Sequence, residues 1–321
     1  MKIVTFGPGS VGLLEDGRVL DLAAAAAAFG QRDDGAFSSL LSLVEAGQRG
    51  LELVGEVAST SQDSERPDLY RELHELQLQA PFPGRSFALA GANNPHHMAD
   101  CYTNMGTPVS PEDVTAKARS GDPAGFWSVV RPVMGPGDDI EIPSRANGLF
   151  DYEGEPAIVV GRKARGVKAD EFRDYVWGVT LVIDWSIREE IWPPTPPNPF
   201  ALVKNFDSSK SIGPSIVVGE LDPDDFTVET LVNGQKRQSF SSKEMIFSFG
   251  EVLEFVSRDL TLHPGDVLSL GTGAGTAMDS TVPNDDGSWP RARYLKAGDT
   301  VEVRSPGIGS LVGNVVARRN A

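Results

Sequence analysis

The sequence predicts an α+β protein that is mostly β, with a small α/β unit at its N-terminus. Its 34 Gly and 23 Pro residues favour a chain rich in turns and strands over a helical bundle. From Ile140 onward the hydrophobic pattern is mainly that of strands, interrupted by one clear helix over Lys243–Ser257. Residues 1–80 mix short strands with helices, so we expect a small domain there and a larger domain over 81–321.

The N-terminal part is predicted to contain two strands and two helices: strands Met1–Phe6 and Arg18–Asp21, and helices Ala23–Ala28 and Phe37–Ala46. Gly47 is predicted to end the second helix, because glycine commonly follows the last helical residue. Leu78–Arg85 contains two prolines and is predicted to be a linker. Residues 102–130 are polar and are predicted to form a long loop, which in a compact domain is usually functional or disordered.

The larger domain is predicted to consist mainly of strands: Ser86–Ala90, Glu155–Gly161, Gly178–Asp184, Ser215–Val218, Phe226–Val232, Asp266–Leu270, Thr300–Arg304 and Leu311–Val316. The pair Asn233-Gly234 follows one of these strands and is a strong signal for a hairpin turn.

The charge of the chain excludes several classes of partner. With 29 Lys+Arg and 45 Asp+Glu the formal net charge is −16, which repels nucleic-acid backbones and anionic lipids. We therefore expect no nucleic-acid and no membrane partner, although a bound cation and nearby lysines can still attract a small anion into a cleft. The single cysteine, Cys101, permits no internal disulfide, which fits a reducing compartment. The alanine run Ala23–Ala28 lacks the basic leader that a signal peptide has. We expect a cytoplasmic protein.

The segment Asp151–Glu155 places two carboxylates before an apolar run. In an extended strand residues i and i+2 share a face, so Glu153 and Glu155 would project side by side. Like charges this close repel, and a divalent cation between them would remove the repulsion. Oxygen ligands favour Mg²⁺, Mn²⁺ or Ca²⁺. The alternative is a solvated strand edge in an acidic protein, and the spacing alone leaves both interpretations open.

Two further residues are candidates for the same site. Asp184 ends a predicted strand, where it is either a third metal ligand or the N-cap of a following helix. Lys204 follows a proline-rich segment over 193–199. Near a metal it could polarise a carbonyl or hold a carboxylate, and the alternative is a solvated lysine.

His97 lies three residues before Asp100. If Pro95 opens a helical turn, the two side chains share a face. A carboxylate fixes the tautomer of an imidazole and raises its basicity, which suits a general base for water. The alternative is a helix-capping asparagine followed by two surface histidines.

The glycines of the segment 271–276 follow a predicted strand but do not form a dinucleotide fingerprint, because Thr276 stands where that motif needs glycine. We interpret Gly271 as a close approach of the backbone to a ligand, with the Thr272 hydroxyl as a donor.

Taken in order, these segments resemble the fumarylacetoacetate hydrolase family over about residues 88–320. The family pattern Asp-Tyr-Glu-x-Glu is intact at Asp151–Glu155, and Asn-Tyr-x-x-His-x-x-Glu is similar to Asn93–Asp100. In the second motif Asn94 replaces Tyr and Asp100 replaces Glu. Two further segments are similar to Asn-Asp-Val-Ser-Ala-Arg-Asp and Lys-Ser-Phe-Asp-Thr: Ile183–Glu189 and Lys204–Ser208.

The resemblance implies a mixed β-roll or sandwich catalytic core, a homodimer, and a mobile lid over about 94–130. It implies Mg²⁺ or Mn²⁺ held by Glu153, Glu155 and Asp184, with Ca²⁺ able to substitute in a crystal. It makes His97 and Asp100 the pair that activates water. The residues that it places at the substrate are Lys204, Arg188, Thr272 and Gly271.

We therefore predict a metal-dependent hydrolase that cleaves a C–C bond in a small β-diketo acid, such as an acylpyruvate. One alternative is a decarboxylase or keto–enol isomerase of a 2-oxo acid on the same scaffold, since these reactions need an enolate but no attacking water. A second alternative is a catalytically silent protein that binds a metal or ligand. The expected partner in the first two cases is a small anionic 2-oxo acid.

Overall fold

The computed structural model describes residues 1–64, 66–82, 86–189 and 203–318. Its strands are β1 (Lys2–Phe6), β2 (Ser10–Glu15), β3 (Arg18–Asp21), β4 (Tyr70–Glu72), β5 (Phe87–Ala90), β6 (Gly125–Ser128), β7 (Asp139–Glu141), β8 (Phe150–Asp151), β9 (Gly154–Val160), β10 (Val176–Asp184), β11 (Ser186–Ile187), β12 (Lys210–Val217), β13 (Thr227–Val232), β14 (Gln235–Ser241), β15 (Val267–Ser269), β16 (Thr300–Ser305) and β17 (Gly309–Val316). Its α-helices are α1 (Leu22–Ala28), α2 (Leu40–Glu45), α3 (Gly47–Gln62), α4 (Pro95–Asn104), α5 (Pro111–Arg119) and α6 (Phe249–Ser257).

The strands form two large mixed sheets. A ten-stranded sheet has the order β4-β3-β2-β1-β12-β10-β9-β15-β5-β6, and a five-stranded sheet has the order β14-β13-β16-β17-β7. Within them β15 runs parallel to β5 and β17 runs parallel to β7. The predicted α+β class, mostly β with mixed sheets, is confirmed.

The ten-stranded sheet is buried on both faces at its centre. Along β9, Ala157 and Val159 belong to the hydrophobic cluster that contains the N-terminal helices. The alternate residues Ile158 and Val160 belong to the cluster that contains the five-stranded sheet and α6. This two-sided burial explains why β9 is a continuous apolar run, since a strand with one wet face would alternate apolar and polar residues.

Gly154, at the start of β9, packs closely against the five-stranded sheet. A Cβ atom added there would lie 2.2 Å from Thr230 Oγ1 of β13, and the side chain of Val303 in β16 is also adjacent. No side chain fits in that space, so the position requires glycine. The packing of Gly154 fixes which face of β9 meets the second sheet.

The N-terminal strands continue the large sheet, because β1 pairs with β12. The domain boundary near residue 80 stays a prediction. The expected helix over 37–46 is a 3-10 turn at Ala36–Ser38 followed by α2. Gly47, with φ of 56°, follows the C-cap of α2 as predicted, and α3 begins at the same residue.

The prediction of a long loop over 102–130 is wrong. The segment contains the end of α4, the helix α5 and the edge strand β6, which pairs with β5. Both helices begin in the same way: Asn94 and Ser110 accept a hydrogen bond from the third following N–H, and a proline occupies the first helical position. These cap signals are local and outweigh the polar composition.

The helix predicted over 243–257 is shorter than expected. A 3-10 turn at Ser242–Glu244 is followed by α6, and each begins with a capping box, formed by Ser241 with Glu244 and by Ser248 with Glu251. Among the described residues, no helix combines the length and the apolarity that crossing a bilayer would need.

The buried centre of the sheet should dominate stability. Val159→Ala, at a fully buried position, should lower the free energy of unfolding by about 2 kcal/mol through lost methyl burial and a residual cavity. The matched substitution Val282→Ala, at a side chain that is 68% exposed, should change it by less than about 0.5 kcal/mol. Urea denaturation measures both, and equal losses would contradict this description of the core.

Candidate active site

Strand register brings three distant carboxylates together. The Asp184 N–H at the end of β10 donates to the Glu153 carbonyl oxygen at 2.9 Å, so these two residues are cross-strand neighbours. Glu155 pairs with Val182, two residues before Asp184. Because side chains alternate along a strand, Glu153, Glu155 and Asp184 all lie on one face.

These carboxylates form a compact, buried set of oxygen donors. One oxygen from each of Glu153, Glu155 and Asp184 lies within 4.8 Å of the others, and all three side chains are buried. Asp184 Oδ1 is buried and lies 2.7 Å from the ammonium nitrogen of Lys210. Hard divalent cations of the Mg²⁺ or Mn²⁺ type prefer oxygen ligands, with metal–oxygen distances of about 2.1 Å for Mg²⁺. The predicted ligand set therefore fits such a cation.

Lys204 contacts two of the three carboxylates. Its Nζ donates to Glu153 and, at 2.9 Å, to Asp184 Oδ2. Burial would lower the pKa of Lys204, but Asp184 and Glu153 outweigh burial and raise it. For Glu153, burial would raise the pKa, while Lys204 and Arg188 hold it well below its usual range. Lys204 is therefore a charged ammonium group inside the site.

Arg188 joins the carboxylate set to a neighbouring loop. Its Nε donates to Asp151 Oδ2 at 2.9 Å and its Nη2 donates to Glu153. Asp151 also accepts the backbone N–H groups of Ala277 and Met278 at 2.9 and 3.1 Å. Arg188 lines the cavity, and its hydrogen bonds orient Glu153 and, through Asp151, anchor the 277–278 loop.

Lys210 is a second buried lysine that the sequence interpretation missed. It pairs with Asp184 across β12 and β10, and its Nζ lies 2.7 Å from Asp184 Oδ1 with the geometry of an ion pair rather than a hydrogen bond. The Nζ also donates to the Lys204 carbonyl oxygen at 2.6 Å. Burial lowers the pKa of Lys210, and Asp184 opposes that effect.

Glu155 is the least compensated carboxylate of the set. Within the described ranges no ion pair reaches it, and it accepts a hydrogen bond from the Ser269 hydroxyl. Burial, Asp184 and Glu153 together raise the pKa of Glu155 well above its ordinary value. Proton loss from Glu155 is therefore less favourable than from an ordinary glutamate, and a cation beside it would favour the ionised form.

The structure pairs His97 with Asp279 rather than with Asp100. His97 Nδ1 lies 2.7 Å from Asp279 Oδ2, and both side chains are buried. Asp100 lies on the exposed side of α4. The predicted His97–Asp100 pair is thus corrected, because helical i,i+3 spacing considers only local partners. Nothing in the sequence singled out Asp279 within its polar, turn-like segment.

Asn94 contacts the backbone of His97, and Asp279 contacts its ring. Asn94 Oδ1 accepts the backbone N–H of His97 at 3.0 Å, so the predicted helix-capping asparagine is confirmed. Burial would lower the pKa of His97, but Cys101 and Asp279 raise it well above its ordinary value. The Cys101 sulfur lies 4.0 Å from both ring nitrogens.

Thr272 and Gly271 have structural partners. The Thr272 hydroxyl donates to the Gly154 carbonyl oxygen at 2.9 Å and accepts from Gln238 at 2.8 Å. Gly271 has φ of 88°, and a Cβ atom there would lie 2.7 Å from the Ala90 carbonyl oxygen. Gly271 therefore approaches β5 closely, Thr272 lines the cavity, and their contact with a ligand stays a prediction.

Comparison with known proteins identifies the family. The family model "Fumarylacetoacetate (FAA) hydrolase C-terminal" matches residues 86–316. The chain belongs to the fumarylacetoacetate hydrolase family. Its resemblance to this family, predicted from the motifs over about 88–320, is confirmed.

Several relatives show how far the similarity extends. An uncharacterized protein of Methanocaldococcus jannaschii is 37% identical over 174 residues, which are 54% of this chain and 65% of that protein. Oxaloacetate tautomerase YisK of Bacillus subtilis is 27% identical over 84% of this chain and 85% of its own. The crystal structure of a fumarylacetoacetate hydrolase from Exiguobacterium antarcticum matches with a TM-score of 0.72 and 27% identity, covering 99% of this chain and all of that one.

The His97–Asp279 contact predicts a pH effect. Because the folded pKa of His97 is raised above the ordinary 6.5, the protonated pair should stabilise the metal-free protein fully below pH 6.5. That contribution should be lost as the pH rises through the raised pKa. Asp279→Asn should lower the midpoint of the His97 titration by about one unit or more, as measured by NMR of the ring. An unchanged midpoint would contradict the pairing.

The carboxylate set predicts metal binding that releases a proton. Mg²⁺ or Mn²⁺ at about 100 times its dissociation constant should stabilise the protein by about 2.7 kcal/mol, visible as a rise in melting temperature. Because the pKa of Glu155 is raised, affinity should increase with pH, and calorimetry in two buffers should detect proton release. Glu155→Gln should remove most of the shift, whereas Glu171→Gln, at an exposed position, should keep it.

Proposed function

We propose that the protein is a divalent-metal-dependent hydrolase that cleaves a C–C bond in a small β-diketo acid, such as an acylpyruvate. One observation carries this proposal. The carboxylates Glu153, Glu155 and Asp184 line the same cavity as His97, whose ring is oriented by Asp279. A site for a Lewis acid and a candidate general base therefore face one space.

Glu153, Glu155 and Asp184 are proposed to hold Mg²⁺ or Mn²⁺. Such a cation supplies Lewis acidity for a 2-oxo acid and favours the negative charge that develops when the C–C bond breaks. Lys204 Nζ already lies between two of these carboxylates. We assign it the binding of substrate oxygen atoms, where its positive charge adds to the stabilisation of the enolate.

His97 is proposed to activate water. The base is the neutral imidazole, which forms above the raised pKa of His97. With Nδ1 of that ring engaged by Asp279, Nε2 is the nitrogen left to accept a proton. The water oxygen attacks the distal carbonyl, the C–C bond breaks, and its electron pair becomes the enolate of the 2-oxo acid. Return of the proton to that carbon gives a carboxylic acid and a 2-oxo acid, so the reaction consumes one water. In this proposal Asp279, and not the predicted Asp100, orients His97.

Keto–enol tautomerisation of a 2-oxo acid is the second candidate. The similarity to oxaloacetate tautomerase YisK over 84% of this chain favours it. In that reaction His97 would move a proton between carbon and oxygen, and no water would attack. The predicted homodimer and the small anionic 2-oxo acid partner are retained as part of the proposal.

Replacement of the proposed base should separate catalysis from metal binding. His97→Gln should lower kcat by about 10² to 10⁴ because general base catalysis is lost. The melting-temperature shift caused by Mn²⁺ should persist. His96→Gln, at the exposed neighbouring position, is the matched control and should keep wild-type kcat. Wild-type hydrolysis by His97→Gln would refute the assignment.

The products distinguish the reactions. Acetylpyruvate incubated with the protein and Mn²⁺ should yield acetate and pyruvate, detected by mass spectrometry. Oxaloacetate converted only to its tautomer would favour the second candidate, and release of CO₂ would indicate a decarboxylase. Metal binding without turnover of any 2-oxo acid would indicate a catalytically silent protein.

A further inference from the structure

We propose that the acyl group of the substrate is an apolar chain that occupies a second cavity beside the carboxylate site. This inference rests on the proposed function and names the class of β-diketo acid that the site accepts. We call the second space the lid cavity. It is enclosed by α4, α5 and residues 91–92, and has a volume of about 420 Å³.

The carboxylate site itself is small. Its cavity has a volume of about 90 Å³. This is roughly a fifth of the volume of the lid cavity. It suits the 2-oxo acid end of a substrate, but a long acyl group must extend elsewhere.

The lid cavity is lined mainly by apolar side chains: Met98, Tyr102, Val109, Val114, Ala118 and Phe247. Val114 and Phe247 are buried, and the other four are partly buried against the main hydrophobic cluster. The charged residues of its lining, Asp113, Lys117 and Asp122, are exposed to solvent. Burial of an apolar group here is favourable, at about 0.8 kcal/mol for each CH₂.

The two cavities share a wall. Gly91, Ala92 and Met98 line both of them. Two of these residues are small, and methionine is flexible enough to change its shape around a ligand. A substrate held by its 2-oxo acid end in the carboxylate site can therefore pass its acyl chain over Met98 into the lid cavity.

Two arginines connect the segment around α5, which lines the lid cavity, to α6 and the residues before it. Arg119 at the end of α5 donates to the Ile246 carbonyl oxygen and to Glu251 of α6, and its guanidinium carbon lies 4.7 Å from the centre of the Phe247 ring. Arg258 holds Asp122 through two hydrogen bonds of 3.1 and 3.2 Å. These contacts fix α5 relative to α6 without filling the space between them.

The charges of the lid cavity disfavour a substrate with a second carboxylate. Lys117 is the basic residue of the described lining, and it is exposed and accompanied by Asp113 and Asp122. A terminal carboxylate would lose hydration there without gaining a buried cation. The geometry therefore points to monocarboxylic acylpyruvates with an apolar acyl chain.

A chain-length series tests this inference. With Mn²⁺, kcat/KM should rise about two- to fourfold per added methylene from acetylpyruvate to octanoylpyruvate. Succinylpyruvate, which ends in a carboxylate, should be turned over less well than hexanoylpyruvate. A flat series, or a preference for succinylpyruvate, would overturn the inference.

Two matched variants locate the effect. Ala118→Trp fills the lid cavity and should lower the ratio of kcat/KM for octanoylpyruvate to that for acetylpyruvate at least about tenfold. Ala116→Trp, at an exposed position on the same helix, should leave that ratio unchanged. An equal effect of both variants would show that the acyl chain lies elsewhere.

A binding measurement separates this inference from the proposed function. 2-Oxooctanoate and 2-oxobutanoate lack the second carbonyl and cannot be hydrolysed, so their binding with Mn²⁺ is read by calorimetry. Tighter binding of 2-oxooctanoate in the wild type, but not in Ala118→Trp, would support the lid cavity even if acylpyruvates were not cleaved. Equal affinities would overturn it even if acetylpyruvate were hydrolysed.

Discussion

The register of three adjacent strands, β9, β10 and β12, is the constraint on which the rest of the site depends. It sets Asp184 opposite Glu153 on one side and opposite Lys210 on the other. A shift of one residue would turn every one of these side chains to the opposite face of the sheet. The close packing of Gly154 against Thr230 prevents such a shift, because only glycine fits between the sheets. Packing between the sheets therefore decides where the carboxylates point.

The buried charges explain why the site suits a divalent cation. Four buried carboxylates, Asp151, Glu153, Glu155 and Asp184, face three buried cations, Arg188, Lys204 and Lys210. Burial of unpaired charge is costly, and burial together with Asp184 and Glu153 raises the pKa of Glu155. A divalent cation would offset the excess of carboxylates and bring a net positive charge. The site would then attract an anionic 2-oxo acid although the chain as a whole carries −16.

Sequence patterns predicted the parts of this site that depend on local structure. Strand periodicity placed Glu153 and Glu155 on one face, and the family motifs added Asp184 and His97. The patterns missed contacts made between distant segments. Asp279 lies 182 residues from His97, and Lys210 reaches Asp184 only through strand pairing. The i,i+3 rule favoured Asp100 because local spacing contains no information about the 275–279 loop. The N-cap signals Asn94-Pro95 and Ser110-Pro111 indicate the two helices of the lid, whereas the polar composition of the segment indicates a loop.

The two cavities also bear on which of the two candidate reactions, hydrolysis or tautomerisation, a given substrate undergoes. A compact 2-oxo acid that remains inside the carboxylate site offers no distal ketone carbonyl for a water to attack, and proton transfer alone suffices for its tautomerisation. A substrate whose acyl chain extends past Met98 places its distal carbonyl at the junction of the two cavities. There a water can occupy the space next to His97 and attack. In the proposed arrangement, the shape of the lid cavity thus determines whether the same base and the same carboxylates perform hydrolysis or isomerisation.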